Sequence, residues 1–198
     1  MALVVLEGVD GAGKSGCIPE LRRALEARGK PVLCLREPGG TVLGEKLRAV
    51  LLDPASGAFS AWTEACLFTA ARCELVRTVI RPALARGEAV LVDRWWYSTL
   101  AYQGYAGGAD VEALRAMNVA ATQGLQPDLV LLFDLDPQVA LARIQRVGDR
   151  MEAKGVAFLR VVRAGFLSEA AKDPARFRIL DASAAPEALA AAAVQALG

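Results

Sequence analysis

Residues 2–16, ALVVLEGVDGAGKSG, decide how the rest of the chain is read. A short apolar run ends in one glutamate, and the spacing G-x-x-x-x-G-K-S follows from Gly8 to Ser15. Glycines let the backbone curl so that several N–H groups converge on one anion, and a helix opening there adds its positive end. The spacing assigns a phosphate loop to Gly8, Val9, Asp10, Gly11, Ala12, Gly13, Lys14 and Ser15. In such a loop Lys14 reaches the terminal phosphates of a nucleotide and the Ser15 hydroxyl ligates magnesium. Taken alone, the motif could also be an ordinary glycine-rich turn between a strand and a helix. The apolar run Leu3 to Leu6 before it, and Leu21 and Leu25 at helical spacing after it, favour the phosphate loop.

Composition narrows the chemistry further. A chain of 198 residues fits one domain, 1–198, with a substantial core. Net charge of +1 supplies no basic field for nucleic acid, and the apolar stretches are too short to cross a membrane. There is no histidine, which removes Ser-His-Asp catalysis, histidine-ligated metals and imidazole proton shuttles together. Phosphoryl transfer survives that absence, because it depends on positioning and charge stabilisation. The four cysteines form no C-x-x-C pair, and no signal peptide is read before the first strand; reduced thiols in a cytoplasmic protein are expected.

Short β-rich runs recur at Ala2 to Glu7, Pro31 to Arg36, Ala89 to Asp93, Leu129 to Asp134 and Phe177 to Asp181. Nearly every position in them is apolar, as in parallel strands covered on both faces. Helical patterns lie between, notably Thr63 to Arg86 and Asp110 to Gly124, and the Ala-rich end from Ala182 reads as a terminal amphipathic helix. This alternation predicts an α/β fold of three layers, with ligands at the carboxyl ends of the strands. Polar clusters stand at those ends: REPGGT at 36–41, VDRWWYSTLAYQG at 92–104, and DLDP at 134–137, followed by RVGDRME at 146–152. Any one of these could be a turn or a surface pair. Four in a row, each after an apolar strand, point to a site.

On these motifs the chain resembles the thymidylate kinases, P-loop enzymes that pass the γ-phosphoryl group of ATP to dTMP. The resemblance runs through EGVDGAGK, REPGGT, LFTAAR, DR with STLAYQG, PDLVLLFDLDP, DRME and LDAS, nearly the whole chain. It implies a P-loop NTPase fold with a five-stranded parallel sheet, magnesium with ATP, and a homodimer built from helix packing. It also implies roles. Phe68 and Arg72, four apart on one helix, share a face; the matching residues stack on thymine and donate to its O4. From the helix alone, a core phenylalanine beside a solvated arginine would be the blander reading. Ser98, Thr99 and Gln103 match the ring around the base edge, and Tyr102 the tyrosine against the sugar where a 2′-hydroxyl would sit. Asp10 matches the acid that holds the 3′-hydroxyl; as a loop residue alone it could be a spacer. Arg94 and Arg48 match the grip on the dTMP phosphate, Glu37 and Pro38 shape the acceptor pocket, and Asp93 reaches Ser15 and magnesium through water. Arg143 lies along the adenine. In a lid at about 144–156, Arg150 is the first candidate to meet the transferring phosphoryl, and Arg146 the second.

The chain also departs from the family. Gly16 stands where threonine usually helps to hold the α-phosphate, and Gly11 where one subgroup places an arginine. Pro19 falls a turn or so into the first helix and should kink it. Trp95 and Phe166 replace other customary aromatics, and the lid is a little short. A kinase for another nucleoside monophosphate, or a nucleotide-binding paralogue with little turnover, stay open on the sequence. A GTPase switch is disfavoured, since no N-K-x-D signature occurs.

Overall fold

Leu3–Glu7 (β1), Val32–Arg36 (β2), Ala89–Asp93 (β3), Leu129–Asp134 (β4) and Phe177–Asp181 (β5) pair in parallel in the order β2-β3-β1-β4-β5. The structure, a computed structural model, describes residues 2–144 and 154–198. β1, β3 and β4 are buried along almost their whole length, as helices on both faces require. The expected cover on both faces fails at the edges. β2 is half-buried or exposed throughout, and β5 exposes Arg178, Ile179 and Asp181. An edge strand has a neighbour on one side only, so the packed layers close over the sheet centre and thin out at its margins.

The helices are Lys14–Glu26 (α1), Val42–Leu52 (α2), Ala61–Leu75 (α3), Arg81–Ala85 (α4), Trp96–Thr99 (α5), Val111–Ala121 (α6), Pro137–Arg143 (α7), Gly155–Lys172 (α8) and Pro186–Gln195 (α9). Pro19 does not end α1, which runs on to Glu26 with Cys17, Leu21 and Leu25 buried on one face. The sequence pattern over 63–86 is one helical rod in which wide π turns at Val76–Ile80 join α3 to α4. Ser60 caps its start by accepting from Thr63 N at 3.0 Å, and Asp110 caps α6 by accepting from Ala113 N at 2.8 Å. The alanine-rich end forms α9, which buries Leu189, Ala190 and Ala193 and packs against α1.

Register places the site. Leu6 and Arg36 both pair with Asp93, so β1, β2 and β3 end level and their three polar clusters open on one edge. The chain crosses from one side of β1 to the other between β3 and β4, and crevices form at such crossings. Gly8 sits at the exit of β1 with φ 134°, and a Cβ there would run into the backbone carbonyl of Phe133 at the end of β4. Gly8→Ala is therefore expected to lose about 2 kcal/mol or more of unfolding free energy, through strain that no side-chain rotation relieves. Denaturant titration checks this, and an unchanged midpoint would contradict it.

Candidate active site

The loop after β1 turns through Gly8, Gly11 and Gly13, all at positive φ, and delivers α1. Gly11 has no alternative: a Cβ would meet the Ala140 carbonyl of α7, so an arginine at this position is shut out by backbone. Gly16 is different, with open space where its side chain would grow. Lys14 is buried and donates from Nζ to the carbonyls of Gly8 and Val9, both at 2.9 Å, which leaves one of its three N–H donors uncommitted. Burial lowers its pKa, and the nearby Arg94 guanidinium pushes the same way. Ser15 Oγ donates to Asp93 Oδ2 at 3.2 Å, while Asp93 Oδ1 is buried without a hydrogen-bond partner. A hydroxyl and a carboxylate with spare acceptor capacity, beside a phosphate loop, form a donor set that magnesium accepts, since that ion takes one or two protein oxygens and fills its shell from phosphates and water.

Glu7 organises the turn after β3. Its carboxylate is fully buried and accepts from Trp95 N at 2.8 Å, Ser98 N at 3.1 Å and Ser98 Oγ at 2.5 Å. Burial raises its pKa against the pull of Arg94 and these donors. The turn holds Arg94 at φ 76°, a left-handed conformation that non-glycine residues rarely adopt. Arg94 then donates to Ser98 Oγ at 2.9 Å and to Asp10 at 2.8 Å, with its guanidinium over the Tyr102 ring at 5.5 Å. Arg48, on α2, donates to the Pro38 carbonyl at 2.9 Å.

Deeper in, Arg72 is 2% exposed. Its Nε donates to Glu37 at 2.6 Å, and its Nη1 to Thr99 at 3.2 Å and to Asn118 Oδ1 at 2.6 Å. Asn118 cannot turn round, because its Nδ2 donates to the Leu114 carbonyl at 2.8 Å. Three acceptors thus fix the guanidinium plane and leave the Nη2 hydrogens for the cavity.

One cavity is lined by Asp10, Glu37, Pro38, Arg48, Phe68, Arg72, Arg94, Ser98, Thr99, Tyr102 and Gln103, with Leu52. The whole set of acceptor-side residues expected from the sequence comes together there. A neighbouring cleft is lined by Gly11, Gly13, Lys14, Ser15, Gly16, Asp93 and Arg143, with Arg36. Arg143 is held there by a bond to the Ala182 carbonyl at 2.9 Å. Asp10, Glu37, Arg48 and Arg94 border both spaces, so the two are halves of one site. Val9 and Ala12 are buried beneath the loop and line neither half. Arg146, Arg150 and most of the lid segment lie outside the described residues.

Comparison with known proteins gives the family. The thymidylate kinase family model matches residues 6–193. The chain belongs to the thymidylate kinase family. A thymidylate kinase of Pelotomaculum thermopropionicum is 48% identical over 185 residues, covering 92% of this chain and 86% of that one. One from Deinococcus radiodurans is 47% identical over 182 residues, covering 91% and 88%. Among solved structures, thymidylate kinase from Ehrlichia chaffeensis superposes with a TM-score of 0.81 at 26% identity, covering 99% of this chain and 97% of that one.

Sequence reasoning missed several residues in this thymidylate kinase fold. Glu7 had a signal, as the lone charge closing an apolar strand. Asn118 had a fainter one, a polar residue four after Leu114 on a buried helical stripe. Glu64, buried and bonded to Gln103 at 3.0 Å, reads in sequence as an ordinary acid in the first turn of a helix.

Burial also pushes the Glu37 carboxyl up from 4.5 to about 7, against the attraction of Arg72. The folded protein then binds this proton more tightly than the unfolded chain does. Its contribution to stability is present below pH 4.5 and is lost as pH rises through about 7. Glu37→Gln keeps an oxygen for Arg72 and removes the titration. The unfolding free energy of the unmodified protein minus that of Glu37→Gln should therefore fall across that window, and a flat or rising difference would contradict the shift.

Proposed function

We propose that the chain, as one domain, transfers the γ-phosphoryl group of ATP in line to the phosphate of dTMP, giving dTDP and ADP. The observation that carries this is the shared wall of Asp10, Glu37, Arg48 and Arg94 between the phosphate-loop cleft and a cavity lined by the buried Arg72 and Gln103. Two anions must approach, and cations belong where they meet. Lys14 gives its remaining N–H to the β- and γ-phosphates, with Gly8 to Ser15 cradling them by backbone N–H groups. Magnesium, held by the Ser15 hydroxyl and through water by Asp93, would neutralise phosphate charge there. Arg143 lies along the adenine.

On the acceptor side Arg94 and Arg48 hold the dTMP phosphate, and Arg94 in turn is oriented by Asp10 and by Ser98 on Glu7. Asp10 also meets the 3′-hydroxyl, and Tyr102 fills the space that a 2′-hydroxyl would need. Phe68 stacks on thymine, Arg72 donates to O4, and Gln103 accepts from N3–H. Arg150 from the lid meets the transferring phosphoryl, a proposal that rests on the sequence motif alone.

A homodimer completes the reading. Val42, Leu43 and Val50 on α2, Trp62 on α3 and Val119 on α6 are large exposed apolar side chains on helices that pack side by side. On α3 the exposed residues Trp62, Cys66, Ala70 and Cys73 recur at helical spacing and form one stripe. Free cysteines, and the lack of any described helix long and apolar enough to cross a membrane, support a cytoplasmic kinase.

Acceptor choice tests the function. Arginine can only donate, and thymine offers O4 where cytosine offers an amino group; N3–H of thymine meets Gln103 where cytosine has a lone pair. Each buried group left unpaired costs about 1–3 kcal/mol, while the 5-methyl adds about 1 kcal/mol of apolar contact. The expected order is dTMP first, dUMP a poor second and dCMP negligible. Arg72→Ala should lower kcat/KM for dTMP and narrow the gap to dCMP, and equal use of dCMP and dTMP by the unmodified protein would sink the reading. On the donor side, the missing hydroxyl at residue 16 should weaken ATP by one hydrogen bond, roughly 1 kcal/mol. There is room for it, so Gly16→Thr is expected to lower KM for ATP several-fold and leave KM for dTMP unchanged. A KM for ATP that stays the same or rises would contradict that account.

A further inference from the structure

A glutamine amide presents either an acceptor or two donors, and the two orientations have almost the same shape. Packing alone cannot tell Gln103 which face to turn toward the cavity. Gln103 is 1% exposed, so water does not choose for it either. The choice is made from behind. Glu64, 1% exposed on the first turn of α3, faces Gln103 Nε2 with its Oε2 at 3.0 Å. Lys154, at the entrance to α8, places its ammonium 3.1 Å from Oε2 and 3.3 Å from Oε1, and lies over the Phe158 ring at 4.9 Å. A carboxylate in an ion pair has only acceptors, so the group facing it must be the NH₂. The amide oxygen is then left on the side of the cavity that Gln103 lines.

We propose that Glu64, buttressed by Lys154, is a positioning residue that sets base specificity by locking the Gln103 amide with its oxygen toward the acceptor cavity. This rests on the acceptor reading given above. The consequence is chemical: a pyrimidine with a hydrogen on the facing ring nitrogen is accepted, and one with a lone pair there meets oxygen with nitrogen and no proton between. The arrangement mirrors the one at Arg72, where Glu37 and Asn118 hold the donor from behind. Donor and acceptor are each fixed by a buried carboxylate, in opposite senses.

The test compares unmodified protein, Glu64→Gln, and the exchange Glu64→Gln with Gln103→Glu, using dTMP and dCMP as acceptors. In Glu64→Gln the new amide can meet Gln103 with either end, so Gln103 is free to turn. The ratio of kcat/KM for dTMP to that for dCMP should drop about tenfold, what one buried hydrogen bond left unmade is worth. The loss should appear in KM for dTMP, with KM for ATP unmoved. In the exchange variant residue 103 has only oxygens to show and the amide introduced at residue 64 donates back to it, so the ratio should recover. A properly folded Glu64→Gln with an unchanged ratio, or an exchange variant that recovers nothing, overturns the proposal. A second measurement does not need turnover: in unliganded protein the Gln103 side-chain NH₂ should be protected from hydrogen exchange by NMR, and Glu64→Gln should remove that protection. Free exchange in the unmodified protein overturns the lock whatever the acceptor. Protection without any preference for dTMP overturns the thymine reading instead, and the specificity role with it.

Discussion

The carboxylate of Glu7 is the group on which the rest of the site hangs. It ends the central strand, lies wholly out of water, and would cost several kcal/mol as an unpaired charge. Its demand for hydrogen bonds is met by the turn that follows β3, through the N–H groups of Trp95 and Ser98 and the Ser98 hydroxyl. Meeting that demand forces Arg94 into a left-handed conformation and aims its guanidinium at Asp10 in the phosphate loop. One buried charge thereby ties together the ends of β1 and β3 and the two halves of the site.

The cavity that Arg72 and Gln103 line follows the same logic at greater depth. Arg72, Glu37, Thr99, Asn118, Gln103 and Glu64 are all buried polar groups, an arrangement that contributes little to stability and much to geometry. Each potential freedom, the guanidinium plane or the turn of an amide, is removed by a partner behind it. On the proposed acceptor reading, selectivity for a base would arise from the penalty on the wrong partner more than from attraction to the right one. Glu37 marks the strain in this scheme: one of its oxygens serves Arg72 while the other is buried with no hydrogen-bond partner.

The departures from the family sort themselves by backbone geometry. Gly11 is compelled, because α7 leaves no room for a side chain, whereas nothing in the space around Gly16 requires glycine. Pro19 is exposed and sits opposite the buried face of α1, so the helix keeps the packing of Cys17, Leu21 and Leu25 despite one missing N–H. Gly16 thus borders the phosphate-loop cleft directly, whereas Pro19 concerns only the helix behind it.

Much of this protein was legible in its sequence. Alternating apolar runs and helical stripes pointed to five parallel strands with helices between them, because strands covered on both faces, as β1, β3 and β4 are, read as short and nearly continuous apolar runs. The phosphate-loop spacing, and the clusters at 36–41 and 92–104, named residues that the fold brings to the two joined spaces, because short loops at strand ends need particular residue types. Tertiary structure decided what no local pattern encodes. The thinning of cover over β2 and β5 depends on which strands fall at the edges, a matter of topology. The partners of Arg72, Ser98 and Gln103 come from Glu37, Asn118, Glu7 and Glu64, which lie between 35 and 91 residues away along the chain. A side chain's type is written in the sequence, but the orientation of its donors and acceptors belongs to whatever the fold sets behind it.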